Sequence, residues 1–111
     1  HPVCCAAGKA AFDVLLKEPI VLEVAEKEKL FLKQLVHPKI KAVRSSGLLM
    51  AVELESADEV MKLLQVCLQK GLFSDWFLFA PHCIRIAPPL TISFQEIEEA
   101  CAILLSSLDA I

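Results

Sequence analysis

Arg85 is the residue of this sequence whose type and surroundings are best suited to binding a ligand. It is the only charged residue between Asp75 and Glu96, and the segment around it alternates as a β-strand does. The strand pattern places the guanidinium on the face opposite the two flanking isoleucines. A guanidinium among apolar neighbours needs a partner, and no carboxylate lies close in the sequence. The partner is therefore either a distant acid, as in an ordinary structural ion pair, or a ligand carboxylate held by two hydrogen bonds.

Other candidates for chemistry are weak. Glu53 and Glu55 have the spacing of two residues on one strand face, where they could act as paired carboxylates, but a solvated strand edge is the better interpretation. The three glycines are isolated, so no phosphate-binding loop is present. No serine or cysteine has a base near it in the sequence, and no lysine stands out as an activated amine. We expect no catalytic residue in this chain.

The cysteines and histidines predict neither a disulfide framework nor a metal site. The cysteine count is odd and no CxxC pair occurs; the five are Cys4, Cys5, Cys67, Cys83 and Cys101. All lie among apolar residues, which favours buried free thiols in a reducing compartment and hence a cytoplasmic protein. The three histidines are scattered along the chain, and we expect no metal or catalytic role for them.

Composition excludes several classes of partner. The net charge is −3 and no basic run occurs, so nucleic acid is not expected. Hydrophobic residues make up 56% of the chain, above the usual 45–50% or so for a soluble domain. No charge-free apolar run approaches the roughly 20 residues of a membrane span, and no signal peptide is expected. The apolar excess instead indicates that the domain packs against more protein.

Helical patterns occur in four segments. Residues 3–16 form a helix that is small and apolar on every side, typical of a buried helix. A second helix starts at Pro19, ends before Pro38 and exposes its charged residues; these are Glu23, Glu26, Lys27, Lys29 and Lys33. Two capping boxes, Ser56 to Glu59 and Ser93 to Glu96, start the third and fourth helices.

The segments of sequence between these helices have the pattern of β-strands. A hairpin runs from about residue 42 to residue 54 and turns near Gly47. Residues 72–79 are strand or loop, and the Arg85 strand follows and ends at the two prolines. The predicted fold class is α+β, one domain of 111 residues with a small, mainly antiparallel sheet of about three to four strands covered by helices.

Three motifs carry a resemblance to a known family. The chain resembles the C-terminal small domain of class III aminotransferases, the pyridoxal-phosphate enzymes that include ornithine, acetylornithine and 4-aminobutyrate aminotransferases. The motifs are His1-Pro2-Val3-Cys4-Cys5-Ala6-Ala7-Gly8, Val43-Arg44-Ser45-Ser46-Gly47-Leu48-Leu49-Met50-Ala51-Val52-Glu53-Leu54, and Ile84-Arg85-Ile86-Ala87-Pro88-Pro89-Leu90-Thr91-Ile92. Ser45, Ala51 and Glu28 stand where glycines are frequent in the family.

The resemblance implies a function for the intact enzyme and a role for Arg85. The enzyme would move an amino group between an amino acid and a 2-oxo acid, as a homodimer using pyridoxal 5'-phosphate. Arg85 resembles the family arginine that binds the substrate α-carboxylate. In the family, the lysine that holds the cofactor lies in a large domain, so residues 1–111 are expected to be inactive alone and not to bind the cofactor.

Two other interpretations remain open at the level of sequence. The chain could be a stand-alone α+β ligand-binding or interaction module, although such a module has little reason for a first helix that is small on every side. It could also be a nonfunctional gene fragment, which the upstream reading frame would reveal.

Overall fold

The computed structural model describes all residues from 1 to 111 and contains four helices and four strands. The helices are α1 (Pro2–Lys17), α2 (Val24–Gln34), α3 (Ala57–Gln69) and α4 (Phe94–Leu108). The strands are β1 (Ala42–Ser46), β2 (Leu49–Glu53), β3 (Asp75–Phe77) and β4 (Ala80–Ile86). Both capping serines start their helices as predicted, but only Ser93 and Glu96 form a complete capping box. At α3 the Glu59 carboxylate instead accepts from the backbone N–H of Glu55.

The four strands form one antiparallel sheet in the order β1-β2-β4-β3, which confirms the predicted α+β fold class. Residues directly opposite each other share a face of the sheet. Met50, Val52 and Ile84 share one face and are fully buried there under α2, α3 and α4. The opposite face carries Arg44, Ala51 and the other residues in register with them.

The core is one apolar cluster between the sheet and three of the helices. Its best-buried side chains come from β2 and the residue after it, β4, α3 and α4; they are Met50, Val52, Leu54, Val60, Leu63, Cys67, Ile84, Ile97, Cys101 and Leu108. The helical members recur at three- and four-residue spacing, so one stripe of each helix faces the sheet. This packing holds β4 rigidly and fixes which face its alternate residues present.

Helix α1 stands away from this core. None of its residues is buried, and it contacts the chain mainly through the short 3-10 turn Pro19–Val21 that replaces the predicted start of the second helix. The sequence interpretation of α1 as a buried helix is therefore wrong for these 111 residues, since Phe12 and Leu16 are 60% and 70% exposed. No helix of the chain has the length and apolar character to cross a membrane.

The β1–β2 turn requires its glycine. Gly47 has φ of +60°, and a Cβ there would lie 2.9 Å from Cγ1 of Val24 on α2. The Gly47 backbone N–H donates to the Glu28 carboxylate at 3.2 Å. Glu28 is one of the departures from the family pattern, and it ties α2 to the hairpin.

Lys27 on α2 is buried, which contradicts the prediction that it belongs to a solvated face. Its Nζ donates to the Leu90 carbonyl at 2.9 Å and pairs with the Glu23 carboxylate at 2.9 Å. The amine also lies 5.9 Å from the centre of the Phe94 ring. A buried charge needs such partners, and these anchor the segment that follows the Arg85 strand to α2.

Candidate functional site

A row of four residues crosses the open face of the sheet from one edge to the other. Arg44 on β1 is opposite Ala51 on β2, Ala51 is opposite Arg85 on β4, and Arg85 is opposite Asp75 on β3. The row therefore contains two guanidiniums, and between them lies Ala51 of β2, whose side chain is a single methyl group. Each guanidinium already has an acidic partner in the chain, Glu53 for Arg44 and Asp75 for Arg85.

Arg85 has a partner within its own hairpin. Its Nη2 donates to Oδ2 of Asp75 at 3.0 Å, and Oδ1 of Asp75 accepts from the Trp76 backbone N–H at 2.8 Å. The Ser74 hydroxyl donates to the Arg85 carbonyl at 2.8 Å, which adds a second tie between the strands. Of the two partners that the sequence left open, the structure shows an acid of this chain, because β3 brings Asp75 directly opposite Arg85.

The pair leaves most of the guanidinium available. The Arg85 and Asp75 side chains are 44% and 40% exposed, and Asp75 makes one contact where an arginine can make two. The structure gives the guanidinium no other hydrogen-bond partner within the chain, so its remaining N–H groups face solvent. Arg85 therefore lies on an exposed strand face as expected, but it also forms an ion pair within the chain, which was not expected.

The same two residues line a small cavity of about 210 Å³ between the end of the sheet and helices α2 and α4. Most of its wall is apolar and includes Phe31, Ile86 and Leu104. Complete ligand pockets generally measure about 300–1,000 Å³. This cavity is smaller than that range.

A second cluster lies beside Arg44 on the same face. Arg44 Nη1 donates to Glu53 at 2.6 Å, and this bond raises the pKa of Arg44 and lowers that of Glu53. Arg44 Nη2 also lies 3.4 Å from Sγ of Cys83, which is opposite Glu53. The donor atoms of Glu53, Cys83 and His82 are all within 4.8 Å of one another. Sequence spacing did not reveal this cluster, since only the β2–β4 register brings residue 53 to residues 82 and 83.

The cysteines divide into two groups. Cys67, Cys83 and Cys101 are buried as predicted, whereas Cys4 and Cys5 are exposed on α1, contrary to the prediction. Burial raises the pKa of Cys67 and raises that of Cys101 to about 11, which disfavours the thiolate that reacts and binds metals. Glu55 pairs with Lys41, and Glu53 with Arg44, so neither carboxylate is poised for acid–base chemistry.

Comparison with known proteins identifies the family to which this arrangement belongs. The sequence profile described as "Aminotransferase class-III" matches residues 1–108. The chain belongs to the class-III aminotransferase family. Its sequence is 40% identical over 106 residues to "Ornithine aminotransferase 2" of Staphylococcus aureus, covering 90% of this chain and 25% of that protein.

Solved structures of aminotransferases share this fold. A Bacillus anthracis aminotransferase superposes with a TM-score of 0.91 at 25% identity, covering all of this chain and 29% of the other. The ornithine aminotransferase of Toxoplasma gondii, described with partial occupancy of PLP at its active site, has a TM-score of 0.84 at 27% identity, covering 99% of this chain and 27% of that one. The resemblance found in the three motifs is thus confirmed. The chain spans about a quarter of the length of the curated relatives it matches.

Proposed function

We propose that residues 1–111 are the C-terminal small domain of a pyridoxal-phosphate transaminase that moves an amino group between an amino acid and a 2-oxo acid. The observation that carries this proposal is Arg85, an exposed guanidinium on the family's Ile-Arg-Ile-Ala-Pro-Pro strand. This proposal assigns the large cofactor-binding domain to the remaining three quarters of the length of the relatives, a share that the 25% coverage leaves open.

The proposed role of Arg85 is to bind the substrate α-carboxylate. A guanidinium is planar and permanently charged, so it can hold a carboxylate with two parallel hydrogen bonds. The free N–H groups of Arg85 and the methyl of Ala51 beside it leave room for that contact. Holding the carboxylate fixes the rest of the substrate, which is a contribution of positioning.

In this proposal Asp75 is an internal counter-ion with which the substrate must share Arg85. Its carboxylate occupies Nη2 of Arg85 before substrate arrives and is itself held by the Trp76 N–H. Two carboxylates on one guanidinium repel each other, so Asp75 weakens the binding of anions at this position. A bound anion therefore needs hydrogen bonds to the guanidinium in addition to its electrostatic attraction to Arg85.

The residues of this chain do not fit pyridoxal phosphate. The one buried amine, Lys27, is already paired with Glu23 and the Leu90 carbonyl. The other lysines are at least partly exposed, and none lies in the row that contains Arg85. We therefore assign the lysine that holds the cofactor, and the phosphate site, to the large domain. The bound cofactor would supply the electron-withdrawing chemistry, and this chain would supply substrate binding.

The proposed partner of the exposed apolar surface is the large domain of the same enzyme. Helix α1 has no buried residue, and its apolar side chains include Val3, Phe12 and Leu16. Apolar patches of this kind are rare on true monomers and mark interfaces. We also propose a homodimer and a cytoplasmic location; the five free thiols agree with a reducing compartment.

Amino transfer by the complete coding sequence tests this function. The protein made from the whole reading frame should transfer an amino group from an amino acid to a 2-oxo acid when supplied with pyridoxal phosphate. The 111-residue chain should give no transfer under the same conditions. Transfer by the short chain alone, or a reading frame that contains no further domain, would favour a stand-alone ligand-binding module.

A further inference from the structure

Three different metal-ligand chemistries meet beside Arg44. Glu53 and Cys83 are directly opposite each other on β2 and β4, and His82 precedes Cys83 on the same strand. Their donor atoms, a carboxylate oxygen, a thiol sulfur and an imidazole nitrogen, all lie within 4.8 Å of one another. Zn²⁺ binds sulfur at about 2.3 Å and nitrogen and oxygen at about 2.0–2.2 Å, so small side-chain movements would bring all three onto one ion.

This cluster already holds a cation. The Arg44 guanidinium donates to Glu53 at 2.6 Å and to the sulfur of Cys83 at 3.4 Å. The Arg44 side chain is 58% exposed, so it can turn away into solvent without leaving a cavity. The exposed guanidinium thus occupies the place that a metal ion could take.

We propose that Glu53, His82 and Cys83 form a binding site for one zinc-like divalent ion, which replaces the Arg44 guanidinium. On binding, Cys83 releases its thiol proton to solvent and the sulfur becomes a thiolate ligand. Glu53 exchanges its bond to Arg44 for a bond to the metal, neutral His82 donates a ring nitrogen, and a water molecule completes the tetrahedron. The proposal does not depend on the proposed transaminase function.

Cobalt titration of the purified protein tests the site, because Co²⁺ bound to a thiolate absorbs in the near ultraviolet and visible range. The protein carries Cys4→Ser and Cys5→Ser, since those exposed thiols could bind metal by themselves. We expect one Co²⁺ per chain, displaced by Zn²⁺, with affinity that falls as the pH falls because protons compete for the ligands. Cys83→Ala should abolish the thiolate band, and His82→Ala should weaken binding at least tenfold or so.

Arg44→Ala is the most discriminating variant, because removing the guanidinium should raise metal affinity only if the metal site overlaps the position of that guanidinium. We expect binding to tighten by roughly tenfold, the scale on which neighbours of ligands alter metal affinity. Lys70→Ala, which removes a cation bonded to Ser106 on the helices, is the matched control and should leave affinity unchanged. Circular dichroism checks the fold of each variant. A titration with no saturable band, a band that survives Cys83→Ala, or an unchanged affinity in Arg44→Ala would overturn the proposal.

Discussion

Oδ2 of Asp75 accepts a hydrogen bond from Nη2 of Arg85 at 3.0 Å, and the two residues are directly opposite each other on β3 and β4. Both side chains are at least 40% exposed and one hydrogen bond joins them, so the pair resembles a surface ion pair more than a buried one. Asp75 therefore occupies only one of the N–H groups of Arg85.

Asp75→Asn should strengthen the binding of carboxylate substrates to the complete enzyme. The change removes the negative charge that shares Arg85 while preserving side-chain shape. An exposed pair of this kind contributes about 0.2–1 kcal/mol, so KM should fall roughly 1.5- to fivefold. Steady-state kinetics with a 2-oxo acid measures this, and Asp58→Asn, an exposed acid on α3, is the control. An increase in KM would mean that Asp75 orients Arg85 instead of competing for it.

Pyridoxal phosphate should not bind stoichiometrically to the 111-residue chain. The only buried lysine is paired with Glu23 and the Leu90 carbonyl, and no glycine-rich loop is available for a phosphate. Titration with the cofactor, followed by visible absorbance, should show only the spectrum of free pyridoxal phosphate. A saturable new band that disappears when one lysine is replaced would show that this chain has its own cofactor site.

The isolated chain should self-associate and bind an apolar dye through α1. Phe12 and Leu16 are 60% and 70% exposed on a helix with no buried residue. Phe12→Ser combined with Leu16→Ser should reduce both light scattering and dye fluorescence. Val36→Ser, which removes an apolar side chain exposed in a loop, is the control and should change little. If Val36→Ser reduces scattering and dye fluorescence as much as the double change in α1 does, α1 is not the surface responsible for self-association.

Acid should destabilise the chain partly through Glu96. Its bonds to Ser93 at the start of α4 lower the pKa of Glu96 in the folded state. A carboxyl group with a lowered folded-state pKa adds stability above its unfolded value near 4.5, and that stability is lost as the pH falls through the folded-state pKa. Glu96→Gln should therefore lower the free energy of unfolding at pH 7 but have little effect in strong acid. Urea unfolding at several pH values measures this, with Glu98→Gln, an exposed acid on the same helix that makes no bond to Ser93, as the control.

The β1–β2 hairpin and helices α3 and α4 could be predicted from sequence because local signals specify them. Gly47 has the positive φ that the turn requires, and Ser56 and Ser93 cap the helices that follow them. The β3–β4 hairpin was harder to predict. Strand β3 has three residues, and its register with β4 shifts between Trp76 and Phe77. Asp75 therefore looked distant from Arg85 along the chain although it is adjacent in space.

The surroundings of two other residues could not be predicted from periodicity. Lys27 falls among charged residues of α2, but the chain after the two prolines folds over it and offers the Leu90 carbonyl. Cys4 and Cys5 lie in an apolar segment, yet α1 has no part of these 111 residues to cover it. In both cases tertiary contact, and not local pattern, decides burial.

The most direct test of the role of Arg85 is the kcat/KM of Arg85→Lys in the complete enzyme. Lysine keeps the charge but cannot form the planar two-bond contact with a carboxylate. We expect transition-state stabilisation for an α-amino acid to fall by about 2–4 kcal/mol, which lowers kcat/KM roughly 30- to 1,000-fold, with the fold unchanged. Arg44→Lys, the same exchange in the same row of the sheet, should have little effect. If kcat/KM is unchanged in Arg85→Lys, or if the variant loses only stability, Arg85 does not bind the substrate carboxylate.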